Sequence, residues 1–141
     1  MNLTPHFTLE ELIRTDHREF DNTPPAEVIA NLRRMAFLME EVRKTLAQPI
    51  LVTSGYRSKQ VNDAVGSKDT SQHRLGCAVD FRCSGLTPDQ IVRMIRASKI
   101  PFDQLIREFD SWTHVSIPNT ADAAPRKQVL IIDKQGTRNY A

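Results

Sequence analysis

The residues with the clearest chemical potential are His73 and Asp80 in Ser71-Gln72-His73-Arg74-Leu75-Gly76-Cys77-Ala78-Val79-Asp80, and His114 in Trp112-Thr113-His114-Val115-Ser116. Two imidazoles and one carboxylate are what a catalytic zinc site needs when one position must stay open to water. The spacing supports that chemistry. Cys77 to Cys83 alternates, with Cys77, Val79, Phe81 and Cys83 on an apolar face and Ala78, Asp80 and Arg82 on the other. Asp80 therefore points away from the apolar face, beside an Ala78 small enough to leave room for an ion. His73 lies just before a turn at Gly76 and can fold back over the same face. Residues 112 to 117 alternate as well and set His114 on a strand, with Trp112 and Ser116 on its side. An H-x6-D pair alone occurs often by chance, and His6 and His17 read as surface or hydrogen-bonded side chains. The neighbouring motifs are what raise His73, Asp80 and His114 above that background.

Ser54-Gly55-Tyr56-Arg57-Ser58 leaves a β-branched run at Ile50 to Thr53 as a turn. Such a turn can hold Arg57 over a cleft, its planar fork aimed at a carboxylate or at the oxygen of a polarised carbonyl. On residue types alone, a solvent-facing arginine is the plainer alternative, and Tyr56 reads as packing. Taken together, SGYRS, S-x-H-x-x-G-x-A-x-D and W-x-H-V resemble peptidase family M15, the zinc D-Ala-D-Ala carboxypeptidase and L-alanyl-D-glutamate peptidase group. The likeness is to the branch that includes many phage and prophage lysis enzymes, and it covers about residues 5 to 118 in order. It implies that His73, Asp80 and His114 ligate Zn2+. It also implies that Arg57 contacts substrate and stabilises the developing oxyanion, and that Ser71 lies against the substrate.

Hydrolysis at such a site needs a base that takes a proton from the attacking water. Glu108 and Asp110 are the candidates. A hairpin is expected from Gln104 to Phe109 and Trp112 to Ile117 around Asp110-Ser111. With the loop centred on Ser111, Glu108 lies opposite His114 and on its face, whereas an even-numbered loop turns it away. Asp110 sits at the tip and reads as a turn residue. Better-known family members carry an acid three residues before the second histidine; here that position is Ser111, and Glu108 is the choice.

The elements that position these residues follow from caps and periodicity. Thr8 and Glu11 form a capping-box signature for a short helix over 8 to 15. Asp21 to Pro25 breaks the chain before a helix from Ala26 to Leu46, whose Val28, Leu32, Met35, Met39, Val42 and Leu46 share one face. Ser58 caps a short helix through Val65, and Gly66 to Thr70 is a polar loop that delivers an extended Ser71. Thr87-Pro88-Asp89-Gln90 starts a helix running to about Ser98, with Ile91, Met94 and Ile95 on its apolar side. The expected class is α+β: one domain of helices packed on a small antiparallel sheet carrying the zinc site. Its bounds are 1–118, followed by a tail over 119–141 with a short strand.

The chain has 141 residues, 40% of them hydrophobic, enough for one real core and no second domain. A net charge of +2 is too mild to indicate nucleic acid, which is not expected as a partner. Cys77 and Cys83 are separated by extended strand that puts their α-carbons roughly 20 Å apart, beyond the ~7 Å a disulfide tolerates, so both are expected as buried thiols. No signal-peptide layout or bilayer-length apolar run is present, and no stable membrane insertion is expected. The resemblance implies a monomeric wall-lysis enzyme made in the host cytoplasm, acting on peptidoglycan peptides at the periplasm or cell wall after a holin-type partner opens the membrane. A cytosolic D,D-dipeptidase or recycling peptidase is the alternative within the enzyme class. Outside it stands a non-catalytic, metal-containing cell-wall-binding module of the same fold.

Overall fold

The computed structural model describes residues 1–140. Two N-terminal strands, β1 (Asn2–Thr4) and β2 (Phe7–Thr8), pair with each other and lead into α1 (Leu9–Ile13). The capping box is present there: Thr8 accepts from the Glu11 amide while the Glu11 side chain accepts from the Thr8 amide. The long helix α2 spans Ala26–Leu46, as the periodicity predicts, and every residue of its expected apolar stripe is buried. At roughly 1.5–3 kcal/mol for each fully buried large apolar side chain, that stripe is a main source of core stability. Ala47, in the left-handed region, closes the helix through its amide to the Arg43 carbonyl.

Strand β3 (Ile50–Ser54), helix α3 (Lys59–Ala64), a 3-10 turn (Gln72–Leu75), β4 (Ala78–Cys83) and α4 (Pro88–Arg96) follow. Ser58 and Thr87 cap α3 and α4 as expected, but the buried face of α4 is Ile91, Val92 and Ile95, with Met94 only half-buried. Then come β5 (Gln104–Glu108), β6 (Trp112–Ser116), β7 (Gln128–Asp133) and β8 (Gly136–Asn139).

The six-stranded sheet has the order β3-β4-β6-β5-β7-β8. All its pairings are antiparallel except β5 with β7, which is parallel. The molecule is therefore α+β, with α2 and α4 against the sheet face that carries Val79, Phe81, Leu105 and Val115. Residues beyond 118 contribute two strands where one was expected, and both join the main sheet. Cys77 and Cys83 are free and buried. Among the described residues no helix is long and apolar enough to cross a membrane.

Candidate active site

The face of the sheet opposite α2 and α4 carries the chemistry. Asp80 of β4 pairs directly with His114 of β6, so their side chains leave the same face side by side. His73 comes over that face from the 3-10 turn. Its donor atom, that of Asp80 and that of His114 all lie within 4.8 Å of one another, and the three residues are 3%, 6% and 8% exposed.

Two glycines explain why the chain folds this way. Gly76 ends the turn in the left-handed region at φ 74, and a β-carbon there would lie 2.9 Å from Val28 Cγ1. Gly55 packs so tightly on α1 that a β-carbon would stand 2.2 Å from the Leu12 carbonyl oxygen. That close approach puts the Gly55 carbonyl 2.7 Å from His73 Nδ1. With Nδ1–H donating to a carbonyl, Nε2 is left with its lone pair directed at the cluster, the arrangement a ligating histidine requires. His73 Nε2 lies 3.3 Å from Asp80 Oδ2, and His114 Nδ1 lies 2.9 Å from Asp80 Oδ1.

The electrostatics suit a cation between these groups. Burial pushes His73 below its ordinary pKa, opposed by the Asp80 carboxylate beside it. Burial works against ionisation of Asp80, but the two imidazoles beside it hold the carboxyl well below the usual carboxylate range. Two imidazole nitrogens and one carboxylate oxygen fit a zinc-type ion with a position to spare.

Arg57 reaches the same cluster, so the solvent-facing alternative does not hold. Its Nη2 is 3.3 Å from Asp80 Oδ2, its Nε donates to Ser54 Oγ at 3.1 Å, and its amide donates to the His73 carbonyl. Burial lowers the guanidinium pKa, opposed by the negative charges of Asp80 and Glu108. Tyr56 is buried in the core.

Glu108 lies on the His114 face, with Oε1 3.9 Å from His114 Nδ1. The hairpin register differs from the expected one: Glu108 pairs with Trp112, and His114 pairs with Ile106. Phe109 and Asp110 both have positive φ, 53 and 48, and the Ser111 amide closes the turn onto the Glu108 carbonyl at 3.0 Å. Two positive-φ residues make a tight I′-like turn, normally written Asn-Gly; Phe-Asp conceals it. The loop is thus centred on Asp110 rather than Ser111, and because it remains odd-numbered Glu108 keeps its face. Burial pushes the Glu108 carboxyl above its ordinary value, reinforced by the negative charge of Asp80. Asp110 is exposed and pairs with Arg107, outside the cluster. The Trp112 indole nitrogen is buried without a hydrogen bond of ordinary geometry, although it stands close enough to Glu108 to favour its ionised form.

The segment from Ser71 to His73 is not extended throughout, as the spacing suggested, because a 3-10 turn begins at Gln72. Ser71 caps the 3-10 turn, accepting from the His73 amide at 3.2 Å, and also lines a groove of about 480 Å³ that opens beside His114. A larger cavity, between Pro49, Phe81, Leu86 and Trp112, is lined by none of His73, Asp80, His114 or Glu108.

The linkage behind the 3-10 turn has no sequence signal. Gln72 Nε2 donates to Asp103 Oδ2, the Ile117 carbonyl and Asn119 Oδ1, while buried Asp103 accepts from the Arg126 backbone and guanidinium. His6 and His17 are surface residues paired with Glu40 and Glu19.

A family model described as Peptidase M15 matches residues 5–116 of the chain. A search of curated proteins found no match.

Proposed function

This chain belongs to peptidase family M15, a metallopeptidase family, and we propose that it is a zinc-dependent hydrolase of peptidoglycan stem peptides. The observation that carries the proposal is Glu108, a half-buried carboxylate held beside the His73, Asp80 and His114 cluster but not within it. A ligand belongs to the cluster; a base stands next to it.

His73 Nε2, Asp80 and His114 Nδ1 would hold the zinc, which when bound would supply a Lewis acid for the scissile carbonyl and lower the pKa of water. Glu108, its pKa raised by burial, accepts the proton from the attacking water and returns it to the leaving amine. Arg57, anchored through Ser54 and Asp80, presents donors in a rigid fork towards the developing oxyanion. Ser71 lies at the groove wall, where substrate passes. Cleavage at D-residues as carboxypeptidase or endopeptidase, and a phage lysis role with a membrane-opening partner, belong to the same proposal and rest on the SGYRS, S-x-H-x-x-G-x-A-x-D and W-x-H-V motifs.

The test is release of dipeptide or D-Ala from cell-wall fragments. Release should stop with a chelator and return with zinc. Wall fragments bound but never cleaved would instead identify a non-catalytic module of the same fold.

A further inference from the structure

Four of the twelve residues that line the groove beside His114 lie outside the family match. Leu130 and Ile132 of β7, Thr137 of β8 and Arg126 before β7 all line it, whereas the match ends at residue 116. Strand register puts them in line with the cluster. Asp80 pairs with His114, His114 with Ile106, and Ile106 with Leu130; one row along, Trp112 pairs with Glu108, Glu108 with Ile132 and Ile132 with Thr137. Paired residues share a face, so an apolar floor of Ile106, Leu130 and Ile132 runs from the cluster towards β8. Ile106 and Leu130 are buried yet stand apart from the main core, which occupies the other face.

Polar groups rim this floor unevenly. Gln72 also lines the groove, and its Oε1 is buried without a hydrogen-bond partner. Such an orphaned acceptor is costly unless a donor reaches it. Arg126 is already engaged with Asp103. Lys68 is exposed at the rim and, among the described residues, has no salt-bridge partner. From β6 to β8 is three strand spacings, roughly 14 Å at ~4.8 Å each, the length of about four extended residues.

We propose that the β7–β8 hairpin forms a substrate subsite of this protein: a peptide of about four residues bearing a free glutamyl carboxylate lies across β5, β7 and β8, its small aliphatic groups on Ile106, Leu130 and Ile132. Lys68 pairs with a peptide carboxylate, and Gln72 Oε1 accepts a peptide N–H. This deepens the peptidoglycan-peptidase proposal and rests on it for the identity of the peptide.

The experiment measures binding, not turnover. The full chain carrying Glu108→Gln and loaded with zinc is titrated calorimetrically with the stem tetrapeptide L-Ala-γ-D-Glu-L-Lys-D-Ala, and with the same peptide amidated at the glutamyl α-carboxyl. Thr137→Trp, on an exposed strand where a large side chain reaches over the groove, should weaken binding on the order of 10-fold. Lys68→Glu should weaken binding of the free carboxylate peptide similarly and erase the preference over the amidated one. Unchanged affinity in both variants, or no binding by the parent, overturns the subsite. Binding that shows the expected losses, in a wild-type protein that releases nothing from wall fragments, leaves the subsite standing while the catalytic proposal falls.

Discussion

Glu108 and Asp110 are both carboxylates on one hairpin, but their surroundings assign them different work. Glu108 is half-buried beside His114, its side chain 16% exposed, whereas Asp110 is 67% exposed in its side chain and tied to Arg107. Glu108→Gln should therefore leave zinc content intact and lower hydrolysis by about 10²-fold or more. Asp110→Asn should change the rate little. Steady-state rates of the two variants on wall fragments check this, and a dead Asp110→Asn beside an active Glu108→Gln would move the base to the hairpin tip. Arg57 gives a second contrast. Its Nε and Nη2 are held by Ser54 and Asp80, a two-point anchorage that an ammonium cannot reproduce. Arg57→Lys should retain fold and zinc but lose most activity; near-normal turnover would leave the arginine a structural partner of Asp80 alone.

At the scale of elements, the site depends on where α1 and the turn after β3 touch. Gly55→Ala would drive a β-carbon into the Leu12 carbonyl. The expected cost is about 1–3 kcal/mol, read as a shift in the denaturation midpoint, and zinc affinity should fall with it because the Gly55 carbonyl orients His73. A variant as stable as wild type would mean that the approach of α1 is not tight. The sequence made much of this level readable. Thr8, Ser58 and Thr87 announced helix starts that the structure keeps, and the stripe from Val28 to Leu46 defined α2 to the residue. Alternation set Asp80 and His114 each on a strand, and the structure pairs them on one sheet face. What escaped were features with no local pattern. The Phe109-Asp110 turn shifts the hairpin register without the usual Asn-Gly, and Ser71 enters a 3-10 turn that no periodicity marks. Likewise the parallel pairing of β5 with β7 depends on contacts 24 residues apart in sequence, as between Gln104 and Gln128.

For the whole molecule, the C-terminal strands and the cluster are mechanically joined. Asp103 binds Arg126 and Gln72, and Gln72 precedes His73. The Arg126 guanidinium and its backbone amide hold the Asp103 carboxyl below its ordinary pKa despite burial. A carboxyl depressed in the folded state contributes stability that is present above its unfolded pKa of ~3.9 and is lost as pH falls through the folded value. Asp103→Asn should therefore be less stable than wild type at pH 7, with the gap narrowing below about pH 4; denaturant melts at the two pH values test it, and a gap independent of pH would remove the charge from the account. All of this presupposes that His73, Asp80 and His114 hold the catalytic ion together. The most direct measurement is the zinc content of purified, dialysed wild type and Asp80→Ala, with circular dichroism showing that the variant is folded. About one zinc per chain in wild type and none in the folded variant is the predicted result; stoichiometric zinc in Asp80→Ala would contradict it.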